Sequence, residues 1–317
     1  MYNTSTSLFT NVIPTTRLGK VIQFPLLRIL IVIVFLFPVT LLANLIGLES
    51  IRHFSEPFYT IIRYGRDFFF LISFMIAYGF YTKYVERREA NELSFKKFYK
   101  ELGLGALLSF CTVAFMVLLM AVLGYYKIAS FNPLKNLSDY FMLQMMVGFT
   151  EELIFRVILF KLSEELLGSW IAIIIQGLIF GFAHMANPNA SFGTSVGLVI
   201  SDTLLLGGAF MLTRRIWLVM GLHWSWNFFQ AGVFGMPNSG KIPEGWITPT
   251  INGPTWITGG AWGIEASYLA ILILFIMGLY VFKKAIKNGQ LVHPMWKRKK
   301  KDHPPETIAQ TNCCTNQ

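Results

Sequence analysis

Residues 27–48 read LRILIVIVFLFPVTLLANLIGL, a run long enough and apolar enough to cross a bilayer as one helix. A hydrocarbon core of about 30 Å needs roughly 20 such residues, and seven more windows of that kind follow, near 66–84, 103–124, 140–162, 169–186, 194–213, 216–235 and 265–284. Gly, Pro, Asn or charged residues separate the later ones. Eight windows predict an all-α polytopic integral membrane protein. The composition agrees: 54% of the 317 residues are apolar, 15% aromatic and only 14% charged, a depletion foreign to soluble domains of this length. The formal net charge of +10 does not point to nucleic acid, because Lys and Arg are bunched between apolar runs and at the C-terminus rather than spread over a surface.

The chain divides into a polar N-terminal segment (1–26), a membrane domain (27–290) and a basic, polar C-terminal tail (291–317), with no internal repeat. The first residues lack a short apolar core followed by a small-residue cleavage site, so the first run is expected to be retained as a span. Basic residues near span ends stay on the cytoplasmic side. The connection with Lys83, Arg87, Arg88, Lys96, Lys97 and Lys100 is therefore predicted to be cytoplasmic, and with eight spans so are Arg17 and Lys20, Arg214 and Arg215, and the cluster Lys297 to Lys301. Both termini then face the cytoplasm of what reads as a bacterial cell membrane. The Gly232 to Gly263 connection, with Lys241 as its only basic residue, faces the other side. Its Trp246, Trp256 and Trp262 fit an aromatic belt at the outer interface better than a lid over a pocket. Cys111, Cys313 and Cys314 have neither metal-ligand spacing nor a disulfide framework. The final four residues from Cys314 are a poor prenylation box, since Thr315 and Asn316 are not aliphatic. The Lys-rich tail is explained equally by anionic lipid and by orientation.

Charges and imidazoles inside spans are costly when unpaired, and each marks a functional-site hypothesis. The first group is Glu151-Glu152-Leu153-Ile154-Phe155-Arg156, halfway along the fourth window. Glu152 and Arg156, four apart, share a face and can pair, whereas Glu151 points about 100° away and has no local partner. An acid in a low-dielectric site accepts a proton more readily, which makes Glu151 the candidate general base. The competing reading is one ion cluster that only orients helices. The second group is Phe180-Gly181-Phe182-Ala183-His184, where His184 is either a catalytic partner or an interfacial histidine. The third is His223-Trp224-Ser225-Trp226-Asn227. There a spacing of four stacks His223 and Asn227 as two potential donors to one oxygen, or as interhelical hydrogen-bond partners. At about 1.5 Å per residue, Glu151 and His223 come out about 10–17 Å from the predicted cytoplasmic ends of their spans and His184 about 22 Å, a mismatch that tilt has to absorb.

These residues resemble the motifs of the CAAX prenyl endopeptidase type II and bacteriocin-processing family, the CPBP or ABI intramembrane proteases. Its patterns Glu-Glu-x-x-x-Arg, Phe-x-x-x-His and His-x-x-x-Asn occur in that order as Glu151, Glu152 and Arg156; Phe180 and His184; and His223 and Asn227, over about residues 138–232. The resemblance implies an endopeptidase in which Glu151 and His184 activate water, His223 and Asn227 stabilise the oxyanion, and Glu152, Arg156 and Phe180 support the architecture. A peptide or membrane-protein tail in the bilayer is the implied partner, and no cofactor is expected. Were zinc present, Glu151, His184 and His223 would be its ligands, but no His-Glu-x-x-His pair occurs on one helix, which favours a metal-free mechanism. Two other classes remain in view: a non-catalytic scaffold or bacteriocin-immunity protein using the same pocket, and a transporter, against which the lack of repeats counts.

Overall fold

The computed structural model describes residues 8–46 and 54–298. The tail beyond Arg298, with Lys299 to Lys301, Cys313, Cys314 and the final four residues, lies outside the described residues, as do the first seven residues and the end of the first predicted window.

The chain folds as an all-α polytopic membrane protein. After a short α1 (Arg17–Ile22), the rods are α2 (Pro25–Leu45), α3 (Phe58–Tyr81), α4 (Phe98–Val122), α5 (Leu134–Glu152), α6 (Lys161–Leu167), α7 (Ser169–Ala183), α8 (Phe192–Thr213) and α9 (Ile216–Asn227). A single turn α10 (Thr255–Thr258) precedes α11 (Tyr268–Lys287). Among the described residues six helices, α2, α3 with its extension to Glu86, α4, α7 with its extension to Ala186, α8 and α11, are long and apolar enough to cross a membrane. The windows near 140–162 and 216–235 are helical too, but they carry the motif acids, histidine and amide. Each continues as a π-helix just past the two acids or the amide, over Leu153–Phe160 and Phe228–Val233, a helical variant that concentrates at functional sites. Leu30, Val34, Phe37, Leu118 and Ile276 stay exposed on the outer faces, as a hydrocarbon solvent allows.

Starts and stops follow from local chemistry. Pro25 opens α2 where a missing N–H costs nothing, Ser191 and Thr194 form a capping box at α8, and Ser267 caps α11. Successive rods reverse direction, so the connections richest in Lys and Arg meet at one end of the bundle. There the buried Glu86 carboxylate holds Arg28 at 2.9 Å, Lys161 at 2.9 Å and Arg88 at 2.5 Å, Glu92 holds Arg88 at 2.6 Å, and Glu165 takes Arg28 at 2.5 Å. Arg214 pairs with Glu164, and Arg215 with Glu101. Unmatched, such charges would not survive burial.

The opposite end differs from an all-helical expectation. β1 (Tyr126–Phe131) and β2 (Ile247–Ile251) form a two-stranded antiparallel sheet, from Tyr126 opposite Ile251 to Phe131 opposite Ile247, with a break in register between Ile128 and Ser130. The 234–263 connection is drawn over the bundle rather than splayed along an interface. Asn132 donates to Gly245 O at 2.7 Å, Asn136 to Glu244 O at 2.8 Å, and Asn189 to Gly240 O at 2.9 Å. The belt reading is thereby corrected: Trp262 is 2% exposed, Trp246 is half-buried, and only Trp256, at 54%, faces outward. Burying the connection satisfies its backbone polar groups, which bare lipid would not. Glu265 fastens its end, accepting from Gln230 and from the Ser239 N–H.

Close helix crossings set the site helices. A Cβ on Gly221 of α9 would lie 2.4 Å from Leu102 O of α4, and one on Gly105 equally close to Leu218 O. Small residues permit this backbone approach, the means by which membrane helices pack without a hydrophobic driving force between them. Ser109 donates to Leu222 O at 2.7 Å and Ser225 to Ala106 O at 2.8 Å, pinning α9 on both sides of His223.

Two predictions follow from this packing. Gly221→Ala should cost about 1–3 kcal/mol by overpacking, whereas Gly103→Ala on the same α4, with nothing within 4 Å of its new Cβ, should gain up to about 1 kcal/mol of helix propensity. Thermal unfolding of both variants in one detergent checks this, and equal stabilities would refute the close crossing. The second concerns pH. Burial pushes the Glu265 carboxyl up to about 7 from 4.5, the Asp202 charge adds to the rise, and the hydrogen bonds from Gln230 and Ser239 oppose it. The folded state disfavours the charged form, so this group's contribution to stability declines as pH climbs from 4.5 to about 7 and stays low above that. Unfolding temperatures at pH 5 and pH 8 should differ less in Glu265→Gln than in the wild type; an unchanged difference would show that the carboxyl does not titrate there.

Candidate functional site

Helix-crossing geometry brings the three polar motifs together midway through the bundle. Glu151 and Glu152 end α5, Phe180 and His184 occupy the last turn of α7 and the 3-10 turn after it, and His223 and Asn227 lie on α9. A Cβ on Gly148 would sit 3.2 Å from Trp224, so α5 and α9 touch one turn before the acids. Trp224 also donates its indole N–H to Phe141 O at 3.2 Å.

Glu152 is fully buried and twice engaged: its Oε1 accepts from Arg156 at 2.9 Å and stands 2.7 Å from Nδ1 of His223. The carboxylate can only accept, so Nδ1 of His223 carries the proton of that bond. Arg156 spreads over the Phe180 ring, its guanidinium carbon 4.3 Å from the centroid, a cation–π contact inside a dry bundle. Phe180 in turn packs against His184 at 4.7 Å and edge-on against His223 at 6.1 Å between centroids, so one ring spaces the two imidazoles.

Glu151, one residue earlier, has a different fate. Its side chain is 29% exposed against 0% for Glu152, and its Oε2 stands 3.8 Å from Nε2 of His223, too far for a direct bond. That oxygen is buried without a hydrogen-bond partner. His184 lies with Nδ1 2.8 Å from Phe180 O. Because a carbonyl only accepts, Nδ1 is the protonated nitrogen and a neutral ring keeps Nε2 as a bare acceptor. Asn227 accepts from Asn238 through Oδ1 at 3.1 Å, leaving its own NH₂ available to donate.

Glu151, His184, His223 and Asn227 all line one cavity of about 340 Å³, roofed by Asn238, Ser239 and Lys241 of the 234–263 connection and reached by Asn187 from the α7–α8 turn. The depth mismatch expected for His184 does not keep it from the cavity, which it lines with the others from the start of the 3-10 turn after α7. Glu152 and Arg156 stand behind the wall. Among the described residues no group of three His, Cys, Asp or Glu side chains is placed to hold a metal ion.

Three charged residues of the site escaped the sequence reading. Asp202 of α8 and Glu265 line a second chamber of about 50 Å³ with His184, His223 and Asn227. Asp202 is an acid within an apolar window, the same signal that exposed Glu151, and it was readable on that ground. Lys241, noted only as an orientation residue, is the one Lys or Arg lining the larger cavity.

No curated protein and no solved structure matches the chain. Residues 133–229 do match a family model, and all three motifs fall inside that stretch. Over that stretch, which is under half of its length, the chain is similar to the family described as type II CAAX prenyl endopeptidase Rce1-like.

Proposed function

We propose that the chain is an intramembrane endopeptidase that hydrolyses a peptide bond with water activated by Glu151 and His184, without a metal. The observation that carries this reading is the shared cavity: an acid with an unpartnered oxygen, an imidazole with a bare Nε2, a second imidazole and a free amide from three helices meet around one space. Peptide hydrolysis needs a base for water, donors for the oxyanion and a proton for the departing amine. Glu151 takes the proton of water as its oxygen attacks the carbonyl carbon, with the bare His184 nitrogen helping to orient that water. Nε2 of His223, when the ring is doubly protonated, and the Asn227 NH₂ donate to the carbonyl oxygen as it becomes negative. Collapse of the tetrahedral adduct breaks the C–N bond, and the proton held on Glu151 passes to the leaving nitrogen. Glu152 and Arg156 do no chemistry; they fix the His223 ring.

The family description supports a CAAX-type endopeptidase at the level of reaction class. The substrate belongs to the proposal: a peptide or a segment of a membrane protein.

Profiling peptide termini in cells carrying the wild type or Glu151→Gln tests the reading and finds the substrate together. Glu151→Gln should remove a defined set of termini while the protein accumulates and unfolds normally, since its carboxylate makes no structural bond; an unchanged set would defeat the hydrolase assignment. With a substrate in hand, Asn227→Ala should lower the turnover rate by about 10²–10³, and Glu152→Gln should lower both turnover and unfolding temperature because it leaves Arg156 buried with a weaker partner. A Glu152→Gln chain of wild-type stability would show that the buried pair is not structural.

A further inference from the structure

We propose that the catalytic cavity opens on the non-cytoplasmic face of the membrane, so that the chain it cuts is a polypeptide segment lying outside the cytoplasm. The word "cuts" rests on the hydrolase reading above; the sidedness rests on charge and geometry alone.

The polar rim of the cavity lies at one end of the bundle. It is built from Asn187, Asn238, Ser239, Lys241, Ile242 and Pro243, all in the connections at the β-sheet end of the bundle. Towards the other end the way is shut. Leu153, Val157 and Phe160, on the turns below Glu151, are buried to within 1%, and beneath them Lys161 and Glu86 close the bundle as a buried ion pair. Glu151 lies ten residues before Lys161, about 15 Å along the helix. A peptide entering from that end would have to break the ion lattice, whereas one entering from the β-sheet end meets an amide and hydroxyl rim suited to a polypeptide main chain.

Charge says which end is which. The α3–α4 connection alone carries Arg87, Lys96 and Lys97, with Lys83 and Lys100 on the flanking turns, and Lys283, Lys284 and Lys287 end α11 on the same side. In the described connections at the cavity end, Lys127 and Lys241 are the only Lys or Arg. Lys135 is matched by Asp139 and Glu56, Arg63 by Asp139, and Arg66 by Asp67. Short loops rich in Lys and Arg are held in the cytoplasm, so the ion-sealed end faces inward and the cavity outward. A lipidated tail in the cytoplasm could not reach this opening. A secreted peptide, or an outward-facing end or loop of a membrane protein, could.

The test uses single cysteines in a full-length chain whose Cys111, Cys313 and Cys314 are replaced by serine. Lys241→Cys reports the cavity rim, Thr250→Cys the exposed face of β2 should the first variant fail to accumulate, and Tyr99→Cys, at a residue 87% exposed, the opposite end. In intact bacterial cells a charged, membrane-impermeant maleimide should label Lys241→Cys and Thr250→Cys, and should reach Tyr99→Cys only after permeabilisation. Labelling of Tyr99→Cys in intact cells, or of the rim positions only after permeabilisation, overturns the proposal. The outcome does not depend on catalysis. A Glu151→Gln chain that still cleaves, with the rim labelled from outside, removes the hydrolase reading and leaves the sidedness standing; inverted labelling with Glu151-dependent cleavage does the reverse.

Discussion

Glu152 is a carboxylate sealed from water, and such a group persists only if its neighbours supply what solvent would have supplied. They are Arg156, one turn along the same rod, and His223, on a different helix. The intrahelical pair could form in any isolated helix. The bond to His223 cannot form unless α5 and α9 are in register, and that register places Glu151 and Asn227 on the same cavity. Phe180 extends the constraint to α7, because the Arg156 guanidinium lies on its ring and the ring contacts both imidazoles. One buried negative charge thus fixes three helices.

The surrounding packing makes so close an arrangement affordable. α4 and α9 cross where Gly105 and Gly221 meet the partner backbone, α5 and α9 where Gly148 meets Trp224, and α7 and α8 where a Cβ on Gly177 would strike Thr203. Hydroxyls then bond across the gaps, as Ser109 does to an α9 carbonyl and Ser225 to an α4 carbonyl. Just past the acids and just past Asn227, both motif-bearing rods change to π-helical winding, which alters the direction of all later side chains without a break in the chain. Glu151 and the amide face the cavity, while buried residues beyond them such as Leu153, Val157 and Phe228 belong to the core.

Much of this was legible in the sequence, because the bilayer imposes a simple length and polarity rule on each rod. The eight apolar windows are all helical, with ends displaced by a few residues, most at α3, which begins at Phe58 rather than near residue 66. The three motifs were legible for the same reason, since acids and imidazoles are conspicuous in an apolar background. What stayed hidden depends on contacts distant in sequence. β1 and β2 are short, about 120 residues apart and irregular at Ile128 and Ser130, so neither strand announces its partner. The tryptophans of the 234–263 connection look alike in sequence, and only packing separates the buried Trp262 from the exposed Trp256.

A cavity that admits water to the middle of a membrane protein creates a second demand: the barrier must be maintained on the far side. Here that barrier and the fold's costliest charges are one structure. Glu86, Glu92, Arg28, Arg88 and Lys161 are buried across the bundle at the end away from the cavity, mutually paired and further bonded by the Tyr78 and Tyr81 hydroxyls. Burial pushes the Glu92 carboxyl up, but Arg88 and Lys161 more than offset this and hold it down at about 2. Glu92 therefore keeps its charge, and its pairing with Arg88, at physiological pH. Neutral apolar packing would seal the end as well, but it would not fix the rotation of α2, α3 and α6 about their own axes, which directional ion pairs do. The polar cavity at one end and the closed ionic lattice at the other are thus complementary solutions to carrying charged residues through lipid.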